Sequence, residues 1–267
     1  MAVLREASGK RGDMMKLGIL GATGWVGQAL GLRLIGQGWA ESDLVLSNRR
    51  ASRAAYGAGV VWGGAAAVSA AEVILITVRP EDFPVPGFDP GDRLVISFMT
   101  MWTLEKLRRL YPAARIVRAM PNGAASVGRS YTPWVGEVSE ADAALVGQVL
   151  ASIGGQDRVV DEDQLDYLAA LSGSGSAYPA LMAQAMLRDA LAWGLPDRVA
   201  RAAVEAVICG SAPFLEGKMG EVGAILDVYR GYKGVTAAGL DAAEPELSRA
   251  IAAALAAATA KAKALGQ

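Results

Sequence analysis

The run Gly21-Ala22-Thr23-Gly24-Trp25-Val26-Gly27 places glycines three apart, directly after the apolar segment Lys16 to Leu20. Glycine lets the chain turn sharply and brings backbone amides close to a pyrophosphate. That charge is favoured at the start of the helix signalled by Ala29, Leu30, Leu32, Leu34 and Ile35. The spacing is G-x-x-G-x-x-G, one residue longer between the first two glycines than the commoner dinucleotide fingerprint, so alone it also fits a ligand-free strand-to-helix turn. Its surroundings favour a ligand. The apolar run Leu44 to Leu46 is followed by Ser47-Asn48-Arg49-Arg50. At that place an acidic residue would hold the ribose hydroxyls of NAD, whereas arginine accommodates the 2'-phosphate of NADP. The sequence therefore points to NADP over NAD, with solvated loop charge as the plain alternative for Arg49 and Arg50.

A second polar stretch, Leu171-Ser172-Gly173-Ser174-Gly175-Ser176-Ala177-Tyr178, is unsuited to a helix interior or a buried strand, because glycine loses the most backbone freedom and serine competes for backbone hydrogen bonds. It suits a helix start. Ser174 or Ser176 can accept a bond from a first-turn amide ahead of the apolar run Ala177 to Met186. The alternative is that its amides and hydroxyls face a cleft between two domains.

Composition narrows the chemistry. The 267 residues contain no histidine and one cysteine, Cys209. This excludes a Ser-His-Asp triad, an imidazole-built zinc site, a histidine acid or base, and internal disulfides, and no metal is expected. A net charge of −1 gives no electrostatic case for nucleic acid or an anionic membrane, so small molecules are the expected partners. No apolar run is long enough to span a bilayer, and residues 1–15 read as a flexible lead without a signal-peptide core. The expected location is the cytoplasm.

These residues need a parallel sheet to position them. Val73 to Val78, Leu94 to Phe98 and Ile116 to Met120 add three β-rich runs to the two above, each separated by polar or helical sequence. Strand–helix–strand alternation means an α/β fold with a parallel sheet, whose ligand crevice lies at the carboxyl ends of its strands. The ends in question are Gly21 to Gly27, Ser47 to Arg50, Arg79-Pro80, Ser97 to Met101 and Met120-Pro121-Asn122-Gly123. Beyond Ala177 the chain reads as alanine-rich helices: Ala177 to Trp193 closed by Gly194, a second opening at Pro196, then Ala237 to Ala243 and Glu246 to Leu265. The expected division is a dinucleotide-binding Rossmann-type domain over 16–160 and an all-α dimerisation and substrate domain over 161–267.

From Lys16 onward the chain resembles the pyrroline-5-carboxylate reductase family. The resemblance is carried by Arg118-Ala119-Met120-Pro121-Asn122 (the family's R-x-M-P-N), by Leu171 to Tyr178 (its L-S-G-S-G-P-A-Y), by Val78-Arg79-Pro80 (its V-K-P) and by Gly194-Leu195-Pro196 at the family's distance beyond Tyr178. It implies reduction of the carbon–nitrogen double bond of a cyclic imino acid by NADPH, with NADH second, in proline biosynthesis, by an intertwined homodimer or a higher homo-oligomer. Carried over residue by residue, Gly21, Thr23, Gly24, Trp25 and Val26 would hold the pyrophosphate. Asn48, Arg49 and Arg50 would meet the adenosine end, and Val78, Arg79, Pro80, Met120, Pro121 and Asn122 would line the nicotinamide.

The substrate side departs from the family. Its S-P-G-G-T-T loop aligns with Gly231-Tyr232-Lys233-Gly234-Val235-Thr236, of which Gly234 and Thr236 survive, and its S-G-S-G-P-A-Y proline is Ser176. Thr236 would contact the ring nitrogen, and also fits a helix N-cap before Ala237 to Leu240. Tyr232, Lys233, Gly234 and Ser174 would meet the substrate; Lys233 either adds a charge toward an anionic group or points to solvent. These changes leave two alternatives beside the family's reaction: a reductase of a larger imine, and a non-catalytic NADP(H) sensor. A β-hydroxyacid dehydrogenase of the same architecture would need a lysine on the helix from Tyr178 to Ala192, where there is none.

Overall fold

The computed structural model describes residues 15–49, 55–175 and 177–267; the expected lead before Met15, Arg50 and Ser176 lie outside the described residues. The glycine-rich start builds β1 (Leu17–Leu20) and α1 (Trp25–Gly36), followed by β2 (Leu44–Ser47), β3 (Val61–Trp62), α2 (Ala65–Ser69) and β4 (Val73–Ile76). Next come β5 (Leu94–Ser97), α3 (Leu104–Leu110), β6 (Arg115–Ala119), β7 (Ser130–Val135), α4 (Glu140–Ala151), β8 (Gly154–Arg158) and α5 (Glu162–Leu168).

These eight strands form one sheet in the order β3-β2-β1-β4-β5-β6-β7-β8. Every neighbouring pair is parallel except β6 with β7. Five strands were legible as continuous apolar runs because they are buried on both faces. Along β4, Val73 and Leu75 join Leu30 and Leu34 of α1 and Val146 and Val149 of α4 in one cluster. Ile74 and Ile76 point the other way, into a cluster with Val68 of α2, Leu107 of α3 and Leu165 of α5. The result is the α/β doubly wound arrangement, with its order reversing between β1 and β4.

By its contacts the chain divides into two compact units, one ending at Gly173 and taking back Ala258–Gln267, the other Ser174–Ala257. The second unit is all-helical. It contains α6 (Ala177–Ala192), α7 (Asp197–Ile208), α8 (Ala212–Leu215), α9 (Val222–Gly231) and most of α10 (Val235–Gly266). Bonds from Gly194 N to the Leu191 carbonyl and from Leu195 N to the Ala190 carbonyl close α6, and Pro196 caps α7. The two final helical stretches expected from the sequence are one helix of 32 residues that carries Pro245 inside it. That proline forfeits one backbone bond, and the alanine-rich turns on both sides sustain the helix across it. Among the described residues, no helix is long and apolar enough to cross a membrane.

Candidate cofactor crevice and substrate loop

β1 turns into α1 through a tight cradle. Gly21 has φ +96°, and a Cβ there would lie 2.8 Å from the Val78 amide nitrogen, so the site accepts only glycine. A Cβ at Gly27 would lie 2.5 Å from the Gly21 carbonyl oxygen and 2.6 Å from Thr77 Oγ1. Thr77 in turn donates toward the carbonyls of Leu20 and Gly21, and Gly21 N donates to the Ser47 carbonyl. β1, β2 and β4 thus share the anchoring of one loop. No side chain caps the helix at Gly24 and no acidic residue occupies its first turn, which leaves its positive end available to an anion. The cradle fits a pyrophosphate.

One supporting residue has no signature in the sequence. Tyr56 is buried beneath the turn and its hydroxyl is shared between the carbonyls of Ala22, at 2.9 Å, and Gly27, at 3.0 Å. Burial drives its pKa far above the ordinary tyrosine value, so it acts as a fixed neutral donor. The close approach of Gly31 to its ring is the feature that makes room for it.

Around the cradle, Leu20 is in register with Ser47 on one side and with Ile76 on the other. Asn48 and Arg49 therefore leave on one flank and Val78, Arg79 and Pro80 on the other. Arg49 forms a two-pronged bond with Asp82, Nη1 to Oδ1 at 2.7 Å and Nη2 to Oδ2 at 3.1 Å. Asp82 was not singled out from the sequence. Arg79 is exposed and 4.0 Å from Glu81, and the Pro80 carbonyl accepts from Trp102 Nε1 at 3.1 Å, which joins the ends of β4 and β5.

Beyond β6, Met120 and Pro121 are buried. Asn122 caps the short turn Gly123–Val127 by accepting from Ala124 N, and its own amide donates to Ser130 Oγ. The preceding Arg118 is 1% exposed; its guanidinium pairs with Glu162 and donates to the carbonyl of Thr100 at 3.2 Å. Glu162 Oε1 also accepts from Leu104 N, so one carboxylate holds the start of α3 and the buried arginine together. This bracket fixes the β5–α3 segment against the Met120-Pro121-Asn122 turn.

The other predicted substrate residues lie in the helical unit. The carbonyl of Ser174 accepts from Ala177 N and that of Gly175 from Tyr178 N, so the second half of the polar stretch starts a helix through its backbone. Its first half departs from the expectation: Leu171, Ser172 and Gly173 belong to a π-helical turn, Ala169–Gly173, that continues α5, where Ser172 Oγ donates to the Leu168 carbonyl at 2.9 Å. Tyr232, Lys233, Gly234 and Thr236 are exposed in the short connection from α9 to α10. Lys233 adopts φ +50°, and its amide donates to the Arg230 carbonyl. Thr236 is not the N-cap: Ala238 N bonds to the Gly234 carbonyl, so the helix starts at Val235 and Thr236 stands in its first turn. The left-handed turn at Lys233 moves the start two residues earlier than the threonine suggested, from Ala237 to Val235. Arg230, at the end of α9, reaches Asp241 at 3.7 Å and Glu244 on α10, bracing the two helices that carry the connection.

Residues 162–265 match the family described as pyrroline-5-carboxylate reductase dimerisation. A pyrroline-5-carboxylate reductase of Mycobacterium tuberculosis is 31% identical over 224 residues, 77% of this chain and 75% of that protein. A solved pyrroline-5-carboxylate reductase from Coxiella burnetii is 24% identical with a TM-score of 0.82, covering 96% of this chain and 100% of its own. A Plasmodium falciparum pyrroline carboxylate reductase with NADP bound is 22% identical with a TM-score of 0.81, covering 95% and 98%. The two structures speak for the fold, a Rossmann-type domain followed by helices. The 31% identity over three quarters of both chains speaks for descent, and this chain belongs to the pyrroline-5-carboxylate reductase family.

Proposed function

We propose that this protein is an NADPH-dependent oxidoreductase that reduces the carbon–nitrogen double bond of pyrroline-5-carboxylate to give proline. The observation that carries this reading is a glycine cradle with an uncapped helix behind it, at the reversal of strand order, in a chain of this family. NADPH supplies the hydride. The chain's own contribution is positioning, since holding donor and acceptor at attack distance removes much of the barrier. An imine protonated on nitrogen is already strongly electrophilic at carbon and brings its own proton, which suits a protein without histidine.

In this reading Gly21, Thr23, Gly24, Trp25 and Val26 hold the pyrophosphate, and Asn48, Arg49 and Arg50 meet the adenosine ribose and its 2'-phosphate. Val78, Arg79, Pro80, Met120, Pro121 and Asn122 form the nicotinamide wall. Met120 and Pro121 serve by shape from within the core, and Asn122 by its backbone and cap. Thr236 contacts the ring nitrogen, and Ser174, Tyr232, Lys233 and Gly234 receive the substrate. Residues 16–160 bind the dinucleotide, and the stretch 161–267, which contains the helical unit, serves dimerisation and substrate in a homodimer in the cytoplasm.

The test is oxidation of NADPH and NADH by the purified protein against pyrroline-5-carboxylate, its six-membered homologue and larger cyclic imines. Turnover is expected with pyrroline-5-carboxylate, and with NADPH over NADH. Turnover confined to a larger imine would replace the substrate, and tight NADPH binding with no turnover on any imine would replace the enzyme with a sensor.

A further inference from the structure

We propose that Asp82 is a specificity-determining residue that sets how strongly this protein prefers NADPH, by competing with the 2'-phosphate for Arg49; this rests on the assignment of Arg49 to that phosphate. Arg49 follows β2, Asp82 follows β4, and β1 lies between those two strands in the sheet. The ion pair therefore joins the two strand ends that flank the glycine loop. That is where an open α/β sheet takes its dinucleotide.

Geometry adds the competition. Both terminal nitrogens of the guanidinium meet both oxygens of Asp82, at 2.7 and 3.1 Å, which is the arrangement arginine also uses toward a phosphate. Arg49 is 70% exposed, whereas Asp82 is 29% exposed and lies in a short turn, Pro80–Asp82, whose proline fixes its start. The carboxylate is the more enclosed partner and the arginine the one more open to solvent. A phosphate at Arg49 either takes the fork from Asp82 or binds beside it, next to a second negative charge. Each route makes NADPH weaker than Arg49 alone would allow and leaves NADH, which has no 2'-phosphate, untouched. Glu81, on the same turn, faces Arg79 instead, so the opposition falls on Asp82.

The experiment titrates NADPH and NADH separately, by nicotinamide fluorescence, into the wild-type protein and into Asp82→Asn, Arg49→Ala and the double variant. Asp82→Asn is expected to tighten NADPH by about two- to fivefold, the upper span open to an exposed ion pair, with NADH unchanged. The gain should shrink as salt is raised and should vanish when Arg49 is also alanine. Unchanged or weaker NADPH binding in Asp82→Asn, beside a clear NADPH loss in Arg49→Ala, overturns the role of Asp82 and leaves the phosphate assignment standing. Weaker NADH binding in Asp82→Asn also overturns it, because Asp82 would then be a ribose ligand. Unchanged NADPH binding in Arg49→Ala removes the phosphate assignment itself, and the proposal with it.

Discussion

The sheet unit and the helical unit are both rich in apolar residues, yet they bury them very differently. In the first, β1, β4 and β5 are buried along their whole length and the sheet carries a cluster on each face. In the second, α6 and α9 contribute no buried residue, α7 contributes only Ala200 and α10 only Ala237. Leu181, Met182, Leu191, Val207, Phe214 and Leu247 stay exposed within the single chain. Such a concentration of uncovered apolar side chains marks a surface that another protein covers. The first unit closes a core on each face of its sheet within one chain, whereas the second leaves apolar faces uncovered, in keeping with the homo-oligomerisation that its dimerisation-family match supports.

That contrast predicts where substitutions will be felt. Leu75→Ala, in the wholly buried β4, should cost about 2–5 kcal/mol in chemical denaturation whatever the protein concentration. A smaller cost would mean that the sheet core is looser than its burial indicates. Leu181→Asp should cost less overall, about 1–3 kcal/mol, and all of it in association. It should yield monomer in sedimentation, with NADPH affinity retained if the cofactor is held by the sheet unit alone. An unchanged oligomer would break the comparison. The smallest effect is expected for Tyr56→Phe. Loss of the hydroxyl shared between the Ala22 and Gly27 carbonyls should lower stability by about 1 kcal/mol, with a matching loss in NADPH binding as the cradle loosens.

How much was legible follows the same line. β1, β2, β4, β5 and β6 stood out because double-sided burial produces unbroken apolar runs, and their ends then named the crevice. β3 is too short to register, with two residues. β7 carries Pro133, which ordinarily argues against an internal strand, and β8 reads Gly-Gly-Gln-Asp-Arg, a polar edge paired on one side only. In the crevice, glycine spacing exposed the cradle directly. Tyr56 and Asp82 were invisible because each acts across the fold, on partners that sequence distance does not reveal: Tyr56 lies 34 residues from Ala22 and Asp82 33 from Arg49. The α9–α10 connection was placed by resemblance, but a left-handed residue at Lys233 shifted the helix start, and nothing in local propensity announces a lysine with φ +50°.

The bracket made by Arg118 and Glu162 has a historical consequence. Removing Glu162 alone strands the Arg118 charge in the core, at a cost of about 3–5 kcal/mol that few folded chains can absorb, whereas removing Arg118 leaves a carboxylate that is 30% exposed and reaches water. Replacing both by well-packed apolar residues need not be costly, but a route that loses Glu162 first passes through the stranded state. Descendants of this chain should therefore keep Glu162 wherever they keep Arg118, so that the buried arginine ties down a carboxylate 44 positions away.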